Sequence, residues 1–163
     1  MQMYGDVLTM AVPDLERVDY LLVLGANPAA SSGSMMGLGD PKARFGAIRA
    51  RGGKIVLVDP RRTESAAWST SHHFIRPGGD AALLLAMLNV IFAEDLASPR
   101  ARPAAGLAEL RAVCKEFSPE RVAPAIGIEA PVGRELARDF ARTERAAIYS
   151  RVGVCQNEFG PVA

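Results

Sequence analysis

The sequence predicts an α/β fold: a Rossmann-like, doubly wound, mainly parallel sheet with helices on both faces. Three observations carry this expectation. Two continuous apolar runs, Tyr20-Leu21-Leu22-Val23-Leu24 and Ile55-Val56-Leu57-Val58, each stop at a turn signal, Gly25 and Asp59-Pro60. A strand buried on both faces loses polar alternation, so such a run bounded by turn residues reads as an interior parallel strand. A helical segment lies between the two, which makes residues 19 to 59 one strand-helix-strand unit. Strand and helix then keep alternating up to a last strand near residue 148.

The first strand is preceded by a short helical turn, Pro13-Asp14-Leu15-Glu16-Arg17; residues 1 to 12 show no clear period. Ala29 to Gly39, with Ser31, Ser32, Gly33 and Ser34, reads as a small-residue loop. Asp40 caps the next helix and Pro41 takes its first position. Ala43, Ala47 and Ala50, with Phe45 and Ile48, form its packing side, and Gly52-Gly53 end it. Beyond the second strand, Glu64 to Trp68 is a short helix and Ser71 to Arg76 a third strand. His72 and His73 point to its opposite faces, one of them into the core, without the spacing of a metal site. Pro77-Gly78-Gly79-Asp80 turns into a helix, Ala81 to Glu94, that is apolar all round and is therefore expected to be buried. Pro99 to Pro103 is a basic linker. Leu107 to Phe117 is amphipathic, Ser118-Pro119 opens a short helix to about Val122, and Pro131 to Thr143 is a helix with Val132, Leu136 and Phe140 on one side. Ala146 to Tyr149 is the last strand, and Gly153 to Asn157 leave its carboxyl end.

At 163 residues the chain fits one domain, residues 1–163, with room for a substantial core. Hydrophobic residues make up 49% and charged ones 23%, as in ordinary globular proteins. A net charge of +1 gives nucleic acid or an anionic membrane no electrostatic hold. The longest apolar run, Ala81 to Ala93, contains Asn89 and is too short to span a bilayer. Cys114 and Cys155 stand far apart in no ligand spacing, so they read as free thiols, with a single disulfide left open, rather than as zinc or iron–sulfur ligands. The start lacks the basic and apolar regions of a secretory signal. The end, Gly160-Pro161-Val162-Ala163, stops in mid-loop, as expected of a piece cut from a longer protein.

Ligands of open α/β sheets gather beyond the carboxyl ends of the strands. Asp59, Arg61, Arg62 and Thr63 stand at such an end, where a carboxylate can accept from a ribose or a base edge. Asp59 has a rival role as turn former before Pro60, and the two arginines a rival role as solvated charges. Gly25-Ala26-Asn27-Pro28 lacks the G-x-G-x-x-G fingerprint of nicotinamide cofactors; it also fits a plain turn in which Gly25 allows positive φ and Asn27 forms an Asx-turn. Ser31 to Ser34 offers hydroxyls and N–H groups to a diphosphate, or is a linker. Asp80 is the N-cap of the buried helix and can still receive a ligand donor on its second oxygen. No nucleophile–base set and no close carboxylate pair for acid–base work has a recognisable spacing.

Three loop segments taken together resemble one family. Gly25-Ala26-Asn27-Pro28-Ala29, then Gly52 through Glu64, then Ile75-Arg76-Pro77-Gly78-Gly79-Asp80-Ala81-Ala82-Leu83 follow the order and distances of the molybdopterin oxidoreductases, the dimethyl sulfoxide reductase family that includes formate dehydrogenases and nitrate reductases. The likeness continues through Ser118 to Val122 and Arg134 to Arg138 to Gly153-Val154-Cys155-Gln156, and covers residues 13 to 160. It implies a Rossmann-like domain holding one of two molybdopterin guanine dinucleotides. The loop with Gly25, Ala26, Asn27 and Ser31 would line the pyrophosphate and pterin, and Asp59, Arg61, Arg62 and Thr63 the guanosine. Gly78, Gly79 and Asp80 would close over the guanine, and Gly153 and Gln156 would approach the pterin. The chain departs from the family at Ala30 to Gly33, Ser69-Thr70, Gly79 and Cys155. The family's molybdenum ligand, iron–sulfur motif and C-terminal cofactor domain are not in this sequence. The resemblance therefore implies a fragment whose partners are the remaining domains of a molybdenum or tungsten enzyme and an electron-transfer subunit, with no catalytic residue and no metal ligand of its own. The alternative is a non-catalytic nucleotide-binding or structural domain like the middle domain of thiamine-diphosphate enzymes; a nicotinamide dehydrogenase is disfavoured by the missing fingerprint.

Overall fold

A computed structural model describes residues 12–33, 39–101 and 103–157. Four strands, β1 (Tyr20–Leu24), β2 (Lys54–Val58), β3 (Ser71–His73) and β4 (Ala146–Ser150), form one sheet in the order β3-β2-β1-β4. Every pairing is parallel, with Leu22 opposite Val56 on one side and Ile148 on the other. The direction of winding reverses between β1 and β4, which defines the switch point of a doubly wound sheet.

The apolar run of β1 has the physical cause that its sequence suggests. Each of its five residues is at most 1% exposed, because helices cover both faces. Leu21 and Val23 join Ile55 and Leu57 in one core, sealed by Phe45 and Ile48 of α2 (Pro41–Ala50). Tyr20, Leu22 and Leu24 join Val56 and Val58 in the other core. That second core is closed by α3 (Asp80–Ala93), α5 (Pro119–Ile126) and α6 (Ala130–Arg142), with α4 (Leu107–Cys114) outside α3. In α6, Leu136 is buried while Val132 and Phe140 pack partly buried beside it, and Phe140 meets the Tyr20 ring edge-on at 6.0 Å. At burial worth about 25 cal/mol per Å² of apolar surface, these two layers supply most of the driving force for folding.

Several boundaries differ from the sequence reading. The segment after β1 begins as a short helix, α1 (Pro28–Ser31), rather than a loop; Ser34 lies outside the described residues, as do the sequence's final residues 158–163. The Asp40 cap forms, its carboxylate accepting from the Ala43 amide at 3.0 Å. The alanines expected on the packing side of α2 face solvent, because Phe45 and Ile48 alone fill the gap to the sheet. The helix after β2 is one 3-10 turn, Glu64–Ala67. β3 stops at His73, since the Arg76 amide leaves the sheet and bonds to Ile126 O at 2.8 Å. On this edge strand both histidines are half-buried and neither is a core residue. The apolar α3 is buried along one stripe only, Leu83, Ala86, Met87 and Val90; Leu84, Leu85, Leu88 and Ile91 stay partly open.

Helix α4 ends at Cys114, short of Phe117. α5 instead runs past Val122 to Ile126, with Pro124 inside it. That proline removes one helical donor, and its own carbonyl accepts from Arg76 Nη1 at 2.5 Å. Both cysteines are free, Cys114 buried and Cys155 exposed, and burial pushes the Cys114 thiol up.

Candidate functional site

All four strand ends carry sequence-singled residues, and hydrogen bonds join these ends into one rim. Gly25 donates to Val58 O at 3.1 Å, and Gly153, in the short helix α7 (Val152–Cys155), donates to Gly25 O at 3.1 Å. The two glycines are needed for this approach. A Cβ on Gly25, whose φ is +53°, would lie 2.7 Å from Val154 N, and one on Gly153 would lie 2.6 Å from Gly25 O. Both therefore pack one turn against the other, a role the sequence reading did not separate from ligand contact.

Asn27 joins the first turn to the one after β2. Its Nδ2 donates to Glu64 Oε2 at 2.7 Å, and its Oδ1 accepts from Ser65 Oγ at 2.7 Å. Ser65, 1% exposed, also accepts from the Ala29 amide at 2.9 Å. The expected Asx-turn is absent because the Asn27 side chain points sideways into this network and makes no cap bond. Glu64 is held below the ordinary carboxylate range by its own backbone amide and then by Asn27. Ala26, 4% exposed, faces the α2-side core and does not line the rim. Ser31 is exposed at the end of α1. Two residues on, Gly33 O accepts from Tyr149 Oη at 3.3 Å.

Asp59 fulfils its turn-forming role, since Oδ1 accepts from the Arg61 amide at 2.8 Å. It is nonetheless 8% exposed, and Oδ2 accepts nothing from the described residues. Its backbone is bracketed by β3: the amide donates to His73 O, and the carbonyl accepts from His72 Nε2, each at 3.2 Å. A carbonyl only accepts, so this bond places the His72 proton on Nε2. Thr63, 6% exposed, keeps its Oγ1 out of solvent without a partner. Arg61 and Arg62 extend into water.

Asp80 opens α3 but is not its cap. Gly79 holds the cap position, so Asp80 is already helical and makes no cap bond. At 5% exposure its carboxyl is pushed up, first by burial and then by the charge of Asp59, against the pull of its own amide. Asp80 thus lies near enough to Asp59 to feel its charge. The turn beside them is tight: a Cβ on Gly79 would lie 3.0 Å from Arg76 O and 3.2 Å from Ile126 Cβ. A Cβ on Gly78, whose φ is +82°, would lie 3.8 Å from Asn157 Cβ, so the third strand's loop stands beside the fourth's. Gln156 is exposed at that rim.

One residue at the rim escaped the sequence reading. Arg151 follows β4 directly, its amide donating to Leu24 O at 3.2 Å, and its Nη1 is sealed from solvent with no acceptor. The available signal was an arginine standing alone where a strand ends among small residues. Of three such unmatched buried polar atoms among the described residues, Thr63 Oγ1 and Arg151 Nη1 lie at this end of the sheet and Tyr20 Oη at the other. Buried polar groups without partners are costly, so they mark places where a ligand can complete the bonding.

The architecture is that of the doubly wound α/β class, with its polar groups gathered at the switch-point end. The comparisons with known proteins are specific. The family model described as molybdopterin oxidoreductase matches residues 1–147, and the chain belongs to that family. It is 30% identical over 155 residues to the F420-dependent formate dehydrogenase subunit alpha of Methanocaldococcus jannaschii, which covers 94% of this chain and 22% of that protein. Formate dehydrogenase H of Escherichia coli is 32% identical over 153 residues, covering 91% of this chain and 20% of the other. The solved acetylene hydratase from Pelobacter acetylenicus superposes with a TM-score of 0.75 at 29% identity, over 88% of this chain and 19% of that one. The chain thus spans about a fifth of the length of these relatives. The thiamine-diphosphate and nicotinamide alternatives belong to other families.

Proposed function

We propose that this segment holds a molybdopterin cofactor in its guanine dinucleotide form and positions it for redox chemistry carried by other parts of a longer polypeptide. The supporting observation is the pair of buried carboxylates at neighbouring strand ends, Asp59 and Asp80. Guanine presents two adjacent donors, N1–H and the exocyclic amine, and a carboxylate accepts both; adenine has no such donor pair on that edge. Asp80 takes that role in this reading, beneath the Gly78-Gly79 turn. Asp59 Oδ2 and Thr63 Oγ1 accept from ribose hydroxyls, and the Arg151 guanidinium, whose buried Nη1 has no acceptor among the described residues, meets the diphosphate. Gly25 and Gly153 hold the first and last turns together so that this surface is continuous, and Gln156 stands at the pterin side.

When bound, the cofactor's metal supplies electron transfer; the residues of this chain supply orientation and a polar frame. The Asp80 carboxyl, pushed up by burial, is returned toward ionisation by the two donors of the base, so binding relieves a charge that folding left poorly solvated. The test is nucleotide content. From the cofactor-loaded long polypeptide, acid release should yield guanine nucleotide in proportion to pterin. Asp80→Ala should lower that yield roughly 10-fold or more, a bidentate base contact being worth about 1–3 kcal/mol. Unchanged guanine content in Asp80→Ala counts against the reading.

A further inference from the structure

A cavity of about 210 Å³ lies between the sheet and α6, toward the amino ends of the strands. Side chains alternate between the faces of a strand, so Tyr20, Lys54 and Val56 share one face with Ser71 and His73, which pair with Val56 and Val58. From the other side α6 contributes Val132, Glu135, Leu136 and Asp139. At about 30 Å³ per water molecule, the space suits about seven waters or one small organic molecule. Tyr20 is 1% exposed, yet its Oη meets no hydrogen-bond partner among the described residues. Its ring is held by the edge-on contact with Phe140. A hydroxyl buried in this way is costly unless something within the cavity bonds to it.

The charges around the cavity say what fits. Lys54 is already engaged, its Nζ donating to Asp139 Oδ2 at 2.6 Å. Glu135 enters no ion pair among the described residues. Burial, and then the charge of His72, hold the His73 imidazole down, so it is neutral at pH 7. One cation therefore faces two carboxylates, and the excess is negative. Burial, and then Asp139 and Glu135, push the Tyr20 phenol up, which keeps it protonated. Such a lining repels an anion and favours a cation. Among the described residues no three His, Cys, Asp or Glu side chains converge to hold a metal ion. Val56, Val132 and Leu136 add an apolar wall, which suits an organic cation rather than a bare ion.

We propose that this cavity binds a small primary alkylammonium ion. Its N–H groups donate to Tyr20 Oη and to the carboxylates of Glu135 and Asp139, and its stem lies against Val56, Val132 and Leu136. This does not depend on the cofactor reading. The experiment titrates n-butylammonium chloride into the 163-residue chain, with n-butanol and sodium butyrate as the neutral and anionic matches. Methyl resonances of Val56, Val132 and Leu136 report occupancy. Butylammonium should shift them saturably and bind at least about tenfold more tightly than butanol, while butyrate should not bind. Tyr20→Phe keeps the ring and removes only the hydroxyl. It should weaken butylammonium about tenfold, the loss expected for a hydrogen bond to a charged group, and should melt no lower than wild type without the amine. Glu135→Gln, at an exposed position, should fold as wild type and bind about threefold more weakly or worse. No saturable shift with butylammonium means that water alone satisfies Tyr20 and overturns the inference. Equal affinity for amine and alcohol, or wild-type affinity in either variant, overturns it as well. The comparison of the three compounds needs no variant, so a Tyr20→Phe form that fails to fold leaves the answer intact.

Discussion

Replacing Gly153 by alanine tests whether the first and last turns are locked by backbone contact. The new methyl would sit 2.6 Å from Gly25 O, 2.8 Å from Gly25 Cα and 3.0 Å from Gly25 C, all main-chain atoms at the end of a buried strand. Ordinary contacts are about 3.5 Å, so the turns must separate by several tenths of an ångström. The Gly153 N–H to Gly25 O bond, 3.1 Å long, lengthens first. Losing that bond costs about 1 kcal/mol and the overpacking about 1–3 kcal/mol, together roughly 2–4 kcal/mol. For a domain of this size that lowers the melting temperature by roughly 5–15 °C. The internal control is Gly46→Ala: nothing lies within 4 Å of its added Cβ, in the middle of α2. That change should stabilise by about 0.5–1 kcal/mol through helix propensity. The assay is thermal unfolding followed by circular dichroism on the 163-residue chain. Gly153→Ala melting within 2 °C of wild type refutes the contact argument.

Other consequences follow from the same rim. Burial and Asp59 hold the Asp80 carboxyl above the ordinary aspartate value of 3.8, so its ionisation opposes folding. The stability gained from the protonated form is complete below that value and is lost as pH rises through the folded one. Cofactor-free Asp80→Asn should therefore melt higher than wild type at pH 7, with the gap closing in acid, as a series of melts at several pH values will read. Ser65→Ala leaves the Ala29 amide and Asn27 Oδ1 without their shared partner and should cost about 1–3 kcal/mol in chemical denaturation. Arg151→Gln should weaken pyrophosphate binding about tenfold and flatten its salt dependence, measured by titration calorimetry at two ionic strengths.

What the sequence made legible was whatever depends on local signals. The buried runs of β1 and β2, the Asp40 cap and the spacing of Leu136 within α6 are each written in a few adjacent residues, and all are found in the fold. The third strand reads as running to Arg76 because Phe74 and Ile75 look β-like in isolation, and only the α5 carbonyl that captures the Arg76 amide explains the exit. Helix α3 reads as buried throughout because composition cannot tell a core helix from one covered along a single stripe. At the site, Asp59 and Asp80 were legible because each abuts a strand or helix end. The roles of Asn27 and Ser65, 38 positions apart, were not, since their bond exists only once the βα turns have met. Arg151 was missed for the same reason: its burial is a property of the assembled rim.

The most direct test of the account is a paired titration of GDP and ADP against the wild-type chain and Asp80→Ala. Bidentate recognition of guanine predicts a preference for GDP of about tenfold or more in the wild type, lost in Asp80→Ala while ADP binding is unchanged. Equal affinity for the two nucleotides in the wild type, or a preference for ADP, contradicts it.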